Sequence, residues 1–178
     1  MTILREATHD KHREVEALPM IQAIMKGPTF DQYVSYLFEL KEIYRVIELA
    51  ARGADILKDL PGIERYDAIT EDLNDLNNNY TRELMPGTKK YIDHIWATAY
   101  HNPHLLLAHV YVRHMGDLYG GKLMARVVPG AGRAYKFEDR PGIIKAFNEK
   151  LTMDLADEAN LAFDYFIQIF DELYKSQN

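Results

Sequence analysis

The sequence predicts a single all-α domain. Three observations predict it: apolar residues recur at spacings of three and four along most of the chain, proline and glycine breaks separate those runs, and no stretch alternates apolar with polar as a half-buried strand would. A length of 178 residues with 47% hydrophobic content suits one ordinary globular domain spanning 1–178, large enough to bury a core. No internal repeat or low-complexity segment is present.

Taken in order, the first expected helix runs from Thr2 to Ala17. The next opens after Pro28, where Thr29 and Gln32 have capping-box spacing and Tyr33, Leu37, Leu40, Tyr44 and Ile47 form one apolar stripe. Shorter helices are expected over Glu64 to Leu76 and Thr88 to Tyr100. Another starts at Asn102 as N-cap with Pro103 at the first helical position, where its missing N–H does no harm, and continues into "HMGDLYGG". Gly142 to Leu151 follows. The tail places Leu155, Ala159, Ala162, Phe163, Phe166, Ile169, Phe170 and Leu173 on one face, with carboxylates opposite. The breaks "MKGP", "KDLPG", "MPG" and "VVPGAGRAYKFEDRP" leave about seven helices.

A net charge of -6 offers no general attraction to nucleic acid or anionic lipid. The absence of cysteine excludes disulfides, thiolate ligands and a cysteine nucleophile, and fits a reducing cytoplasm. The N-terminus is charged almost from its start and no apolar run reaches the length of a membrane span. The expectation is therefore a soluble protein with neither nucleic-acid nor membrane partner.

Two stretches carry chemistry. In "YVRHMGDLYGGKLMAR", Gly116, Gly120 and Gly121 fall inside a predicted helix, where each costs about 1 kcal/mol relative to alanine. Gly116 and Gly120 share a face, which admits either a closely packed helix or a broad, flat ligand, and the glycines also permit a kink. In "ATHDKHREVE", His12 and Glu16 stand one helical turn apart. The pair is either a surface ion pair or an imidazole whose tautomer is fixed by the carboxylate, freeing the other nitrogen for a metal. Glu6 and His9 have E-x-x-H spacing, and with Glu39 and Glu42 they raise a di-iron carboxylate bundle. That site normally needs the motif twice, and it occurs once. His94, His101, His104 and His114 have no metal-ligand spacing and read as surface or core residues, as does the lone Trp96.

Together, "REATHDKHREVE", "LLLAHVYVRHMGDLYGG" and "DEANLAFDYFIQIFDEL" resemble the heme oxygenases, in that family's order and along nearly the whole chain. The resemblance implies a helical bundle with heme held between a proximal N-terminal helix and a kinked, glycine-rich distal helix. It implies that His12, four residues after Thr8 of an Ala-Thr pair, ligates the iron, with Glu16 hydrogen-bonded to it and His9 a decoy. Gly116, Gly120 and Gly121 match the glycines against the porphyrin. Asp117 matches the aspartate that orders water over the iron and supplies a proton through it, with Arg113 and Tyr44 in the same polar network; by themselves those two residues read as an ion pair and as core. Arg5 and Tyr111 match propionate-side positions, and Phe163 and Phe170 match aromatic positions around the pocket, although Phe170 reads equally as plain core.

The departures are Tyr119 where the family often has serine, Phe166 where many relatives have asparagine, and Ile144 and Asn148 where a lysine and an arginine usually bind propionate. Lys145 and Lys150 are left as substitutes. These changes bear on which meso carbon is attacked, with alpha cleavage the default. The implied activity converts heme, both substrate and cofactor, to biliverdin, carbon monoxide and ferrous iron using O2. Since the chain has no flavin or nicotinamide fingerprint and no cysteine for an iron–sulfur cluster, electrons are expected from a ferredoxin or flavoprotein reductase, docked near Arg5, Lys145 and Lys150, with a bilin reductase downstream. A heme carrier or sensor on the same scaffold is the alternative.

Overall fold

The structure, a computed structural model, describes residues 3–177, and among them there are helices and turns but no strand. Two long helices organise the bundle. Helix α4, Phe30–Gly53, starts where its capping box is satisfied from both sides: Gln32 donates its amide to Thr29 Oγ1 at 3.2 Å, and Thr29 donates its own to Gln32 Oε1 at 3.0 Å. The whole predicted stripe from Tyr33 to Ile47 is buried, but so are Val34, Tyr36, Ile43 and Val46, because neighbours pack on more than one side of this helix. The last helix, α10 (Ala156–Ser176), buries Ala159, Ala162, Phe163, Phe166, Ile169, Phe170 and Leu173 as its periodicity requires.

The single N-terminal helix expected up to Ala17 is divided. Thr2 lies outside the described residues; α1 (Ile3–Ala7) and α2 (His9–Glu16) meet at Thr8, whose hydroxyl donates back to the Leu4 carbonyl at 2.9 Å. That bond competes with regular helix geometry. Helix α3 (Pro19–Lys26), which the pattern did not predict, begins with Pro19 at its first turn and buries Met20 and Ile24. Helices α5 (Tyr66–Asn77) and α6 (Pro86–His101) fall close to their expected places, α6 starting two residues early because Pro86 again serves as the opening residue.

The helix that carries the glycines is interrupted, though not by them. After a 3-10 turn at Pro103–Leu105, α7 (Leu106–Val110) passes into a π-helical turn, Tyr111–Met115, and then into α8, Gly116–Val127. A π turn is a recognised cause of helix kinking, so the break lies upstream of Gly116, and all three glycines sit in regular α-helix. A short 3-10 turn, Arg133–Tyr135, is strapped against α8: Arg140, opening α9 (Arg140–Asn148), donates to the carbonyls of Leu118 and Tyr135. The turn follows Gly132, whose φ of 59° is left-handed. No helix among the described residues is long and apolar enough to cross a membrane.

Candidate functional site

A cavity of about 640 Å³ opens between the N-terminal helices and the α7–α8 run, within the roughly 300–1,000 Å³ usual for a bound cofactor. One wall comes from α1 and α2, through Arg5, Thr8, His12 and Glu16. The facing wall is Tyr111, Arg113, Gly116, Tyr119 and Gly120, and α10 closes the back with Phe163 and Phe166.

On the α2 side, Glu16 Oε1 lies 3.6 Å from His12 Nδ1, so the carboxylate addresses that nitrogen and leaves Nε2 for a ligand. Both side chains are about half exposed, at 54% and 53%. The edge of the imidazole meets Phe163, centroids 6.0 Å apart at 85°, which gives the ring a rigid stop. His9 also lines the cavity, but its Nδ1 is directed to Asp10 at 3.4 Å.

The facing wall is bare where the sequence implied. A Cβ built on Gly116 or Gly120 would meet nothing within 4 Å, so both main chains border open space. Gly121 does not belong with them. Its Cβ would lie 3.1 Å from the Tyr135 Cβ and 3.2 Å from the Tyr135 carbonyl oxygen, so this glycine is required for packing against the Arg133–Tyr135 turn and is absent from the cavity wall.

Behind that wall stands a buried polar unit. Tyr44 donates its hydroxyl to Asp117 Oδ2, and Arg113 Nη2 reaches the Tyr44 oxygen at 3.2 Å and Asp117 Oδ1 at 3.5 Å. The Arg113 guanidinium lies over the Phe166 ring at 4.7 Å. Burial pushes the Tyr44 hydroxyl well up, and Asp117 adds to the shift although Arg113 opposes it, so the tyrosine stays protonated. Burial works against the charge of Arg113, but Tyr44 and Asp117 more than offset it. Arg113 Nε is buried with no partner.

At one end, the Tyr111 hydroxyl and Thr8 Oγ1 are 3.5 Å apart, and burial raises the Tyr111 pKa against the pull of Thr8 and Arg5. A cation and two hydroxyls there suit a carboxylate. Lys145 and Lys150 do not join them: Lys150 pairs with Asp59 at 3.4 Å, and Lys145, with Ile144 and Asn148, borders a separate depression on α9. The three cations suggested for reductase docking therefore do not converge on one cavity. Phe170 is core, stacked on Tyr36 and packed at a tilt against Phe166. The di-iron reading also fails, since Glu39 accepts the Met85 amide and Glu42 pairs with Arg45, which leaves both carboxylates already engaged.

Sequence reasoning missed a second buried unit beside the first. His114 Nε2 is 3.0 Å from Glu48 Oε1, and the imidazole lies edge-on to Tyr44 at 4.7 Å. Glu48 also accepts the amides of Arg65 and Tyr66, so it caps α5 while holding His114. A signal existed: Glu48 stands one turn after Tyr44 on an apolar stripe, where an unpaired carboxylate has no place.

The fold and site define an all-α protein with a cavity that has an imidazole on one wall and exposed glycine main chain on the other. The family model for heme oxygenase matches residues 1–172, and the chain belongs to the heme oxygenase family. It is 28% identical over 206 residues to the rabbit (Oryctolagus cuniculus) protein heme oxygenase 2, covering 96% of this chain and 65% of that one. The chain thus spans just under two thirds of the length of that relative. Among solved structures, heme oxygenase from Leptospira interrogans superposes with a TM-score of 0.83 at 26% identity, covering 96% of this chain and 97% of that one. Heme oxygenase-2 from Synechocystis, solved with heme and NO, has a TM-score of 0.87 at 24% identity over 97% of this chain and 84% of its own, a likeness of fold.

Proposed function

We propose that this chain cleaves heme oxidatively to biliverdin IX-alpha, carbon monoxide and ferrous iron, consuming O2 and electrons from a ferredoxin or flavoprotein reductase. The observation that carries the reading is the pairing of His12 with the open glycine wall at Gly116 and Gly120 across one cavity, backed by the buried Tyr44–Asp117–Arg113 unit. Heme bound there would supply both the iron that takes up oxygen and the ring carbon that is oxidised. In this reading His12 Nε2 is the iron ligand, and Glu16 orients the ring. Arg5 and Tyr111 hold propionate. The missing side chains at Gly116 and Gly120 leave room for the macrocycle and for water. Asp117, fixed by Tyr44 and Arg113, holds that water and relays a proton toward the oxygen side. The cytoplasm is the proposed location, and a bilin reductase the proposed consumer of the product.

Aerobic incubation with heme and a reductant tests this. The Soret band is expected to give way to the absorption of biliverdin, with chromatography reporting the isomer; a Soret band that persists through repeated reduction would favour the heme carrier or sensor instead. The substitution Asp117→Asn, which keeps the shape of the buried unit, is expected to leave heme affinity within about threefold and lower biliverdin formation by about a hundredfold or more. Ordinary biliverdin yield from Asp117→Asn would remove the acid from the reading.

A further inference from the structure

A second constellation lies away from the cavity, where α6, α7 and the first turn of α10 meet. Glu158 of α10 receives two imidazoles on the same oxygen: His94 Nε2 of α6 is 2.5 Å from Oε1, and His109 Nε2 of α7 is 2.9 Å from it. Thr98, one turn beyond His94, brings its hydroxyl to 3.4 Å from that oxygen. The donor atoms of His94, His109 and Glu158 all lie within 4.8 Å of one another. His109 is fully buried, whereas the side chains of His94 and Glu158 keep 24% and 13% of their surface, so the group is open on one side.

We propose that His94, His109 and Glu158 form a binding site for a divalent transition-metal ion, with zinc the ion their chemistry matches, separate from the proposed heme site. Two imidazoles and one carboxylate, with an opening for water or the Thr98 hydroxyl as fourth ligand, are the donor set of a three-residue zinc site. Calcium or magnesium would require many more oxygens than this group offers. Bonds of about 2.0–2.1 Å in tetrahedral geometry set ligand atoms about 3.4 Å apart, so entry of the ion requires Oε1 to withdraw from the two nitrogens by about 0.5–1 Å. Glu158 and His94, at the opening, have room to make that shift.

The surroundings are already those of a ligand. The Tyr91 hydroxyl lies 2.9 Å from His109 Nδ1, the outer partner that a ligating histidine normally has. Without metal, each Nε2–H donates to Glu158; with metal, the His109 proton resides on Nδ1 and the Tyr91 oxygen accepts it, so the imidazole ligates as a neutral group. Burial lowers the His109 pKa, which keeps that ring neutral near pH 7. Burial opposes the charge of Glu158, yet hydrogen bonds from His109 and His94 bring its carboxyl down to about 2, so it is anionic. Tyr165 stacks on Tyr91 at 4.9 Å and lies 5.2 Å from the His94 ring, limiting the rotation of both. Since the ligands come from three helices, a bound ion would pin α6 and α10 to the segment that leads into the π turn.

The site stands or falls apart from the proposed reaction, so its test uses untagged protein without heme. Zinc is titrated by calorimetry and thermal unfolding is followed by circular dichroism. One ion per chain is expected, and zinc at a hundredfold excess over its Kd should raise Tm by about 5–10 °C. The exposed ligand variant His94→Ala should fold normally and weaken zinc binding by about a hundredfold, and Glu158→Gln should do the same; His12→Ala should retain the full response. Cobalt gives a second readout, as visible d–d bands present in the native protein and lost in His94→Ala. No zinc-dependent rise in Tm, or a rise that survives His94→Ala or disappears in His12→Ala, would overturn the proposal.

Discussion

The two walls of the cavity are built to different standards. On the α7–α8 side, Tyr44, Arg113 and Asp117 are buried and bonded to one another, and His114 and Glu48 support them from behind. On the α2 side, not one residue of the helix is fully buried, and His12 and Glu16 are half exposed at a separation slightly too long for a hydrogen bond. The difference separates two tasks. Groups that must hold water and a proton in a fixed arrangement need neighbours that lock them before any ligand arrives. In the proposed function His12 would be positioned by the iron it binds, so α2 would remain loosely attached and let a wide, rigid substrate enter.

The comparison breaks most sharply at His12. His12→Ala is expected to abolish turnover and the axial-ligand spectrum while leaving Tm of the heme-free protein within about 2 °C, because an exposed helix face contributes little to the core. Added imidazole should restore much of both; a variant that turns over without it would place the ligand elsewhere. The glycines give a smaller and divided effect. Gly120→Leu should leave the heme-free protein as stable as before, or more stable by about 0.5–1 kcal/mol, yet weaken heme binding by at least about tenfold. Gly121→Ala should instead cost about 1–3 kcal/mol in urea unfolding, since its new methyl group presses on the Tyr135 main chain. Identical heme affinity in Gly120→Leu would mean that nothing flat rests on that wall. The mildest test is hydrogen exchange: without heme, amides of α2 should exchange well before those of α4 and α8, and heme should narrow the gap. Equal protection of the two walls without heme would remove the distinction.

Much of this was legible in the sequence because it is local. Thr29 and Gln32, the stripe from Tyr33 to Ile47 and the apolar face of α10 are fixed by spacings within a turn or two, and the structure reproduces them. His12 with Glu16 is also an i,i+4 relation. What escaped depends on partners distant in sequence or on competition within one turn. Gly121 reads like Gly116 until Tyr135 folds against it. Lys145 looks like a stand-in anchor until the direction of α9 is known. His94, His109 and Glu158 have no metal spacing along the chain because each occupies a different helix, and the break at Thr8 rests on one hydroxyl choosing a carbonyl. The family resemblance proposed site residues across the whole chain without regard to spacing; at Ile144 and Asn148, where it expected cations, the side chains border a separate depression on α9.

The π turn at Tyr111–Met115 has one last consequence. It contains one residue more than an α turn, so it acts as a phase setting for all that follows it. Were the same residues wound as plain α-helix, the extra residue would be carried forward and rotate α8 by about 100° about its axis, taking Gly116 and Gly120 away from the cavity and Asp117 away from Tyr44 together. The alignment of acid, arginine and open wall is thus a matter of counting along the chain, and one extra peptide unit keeps the count.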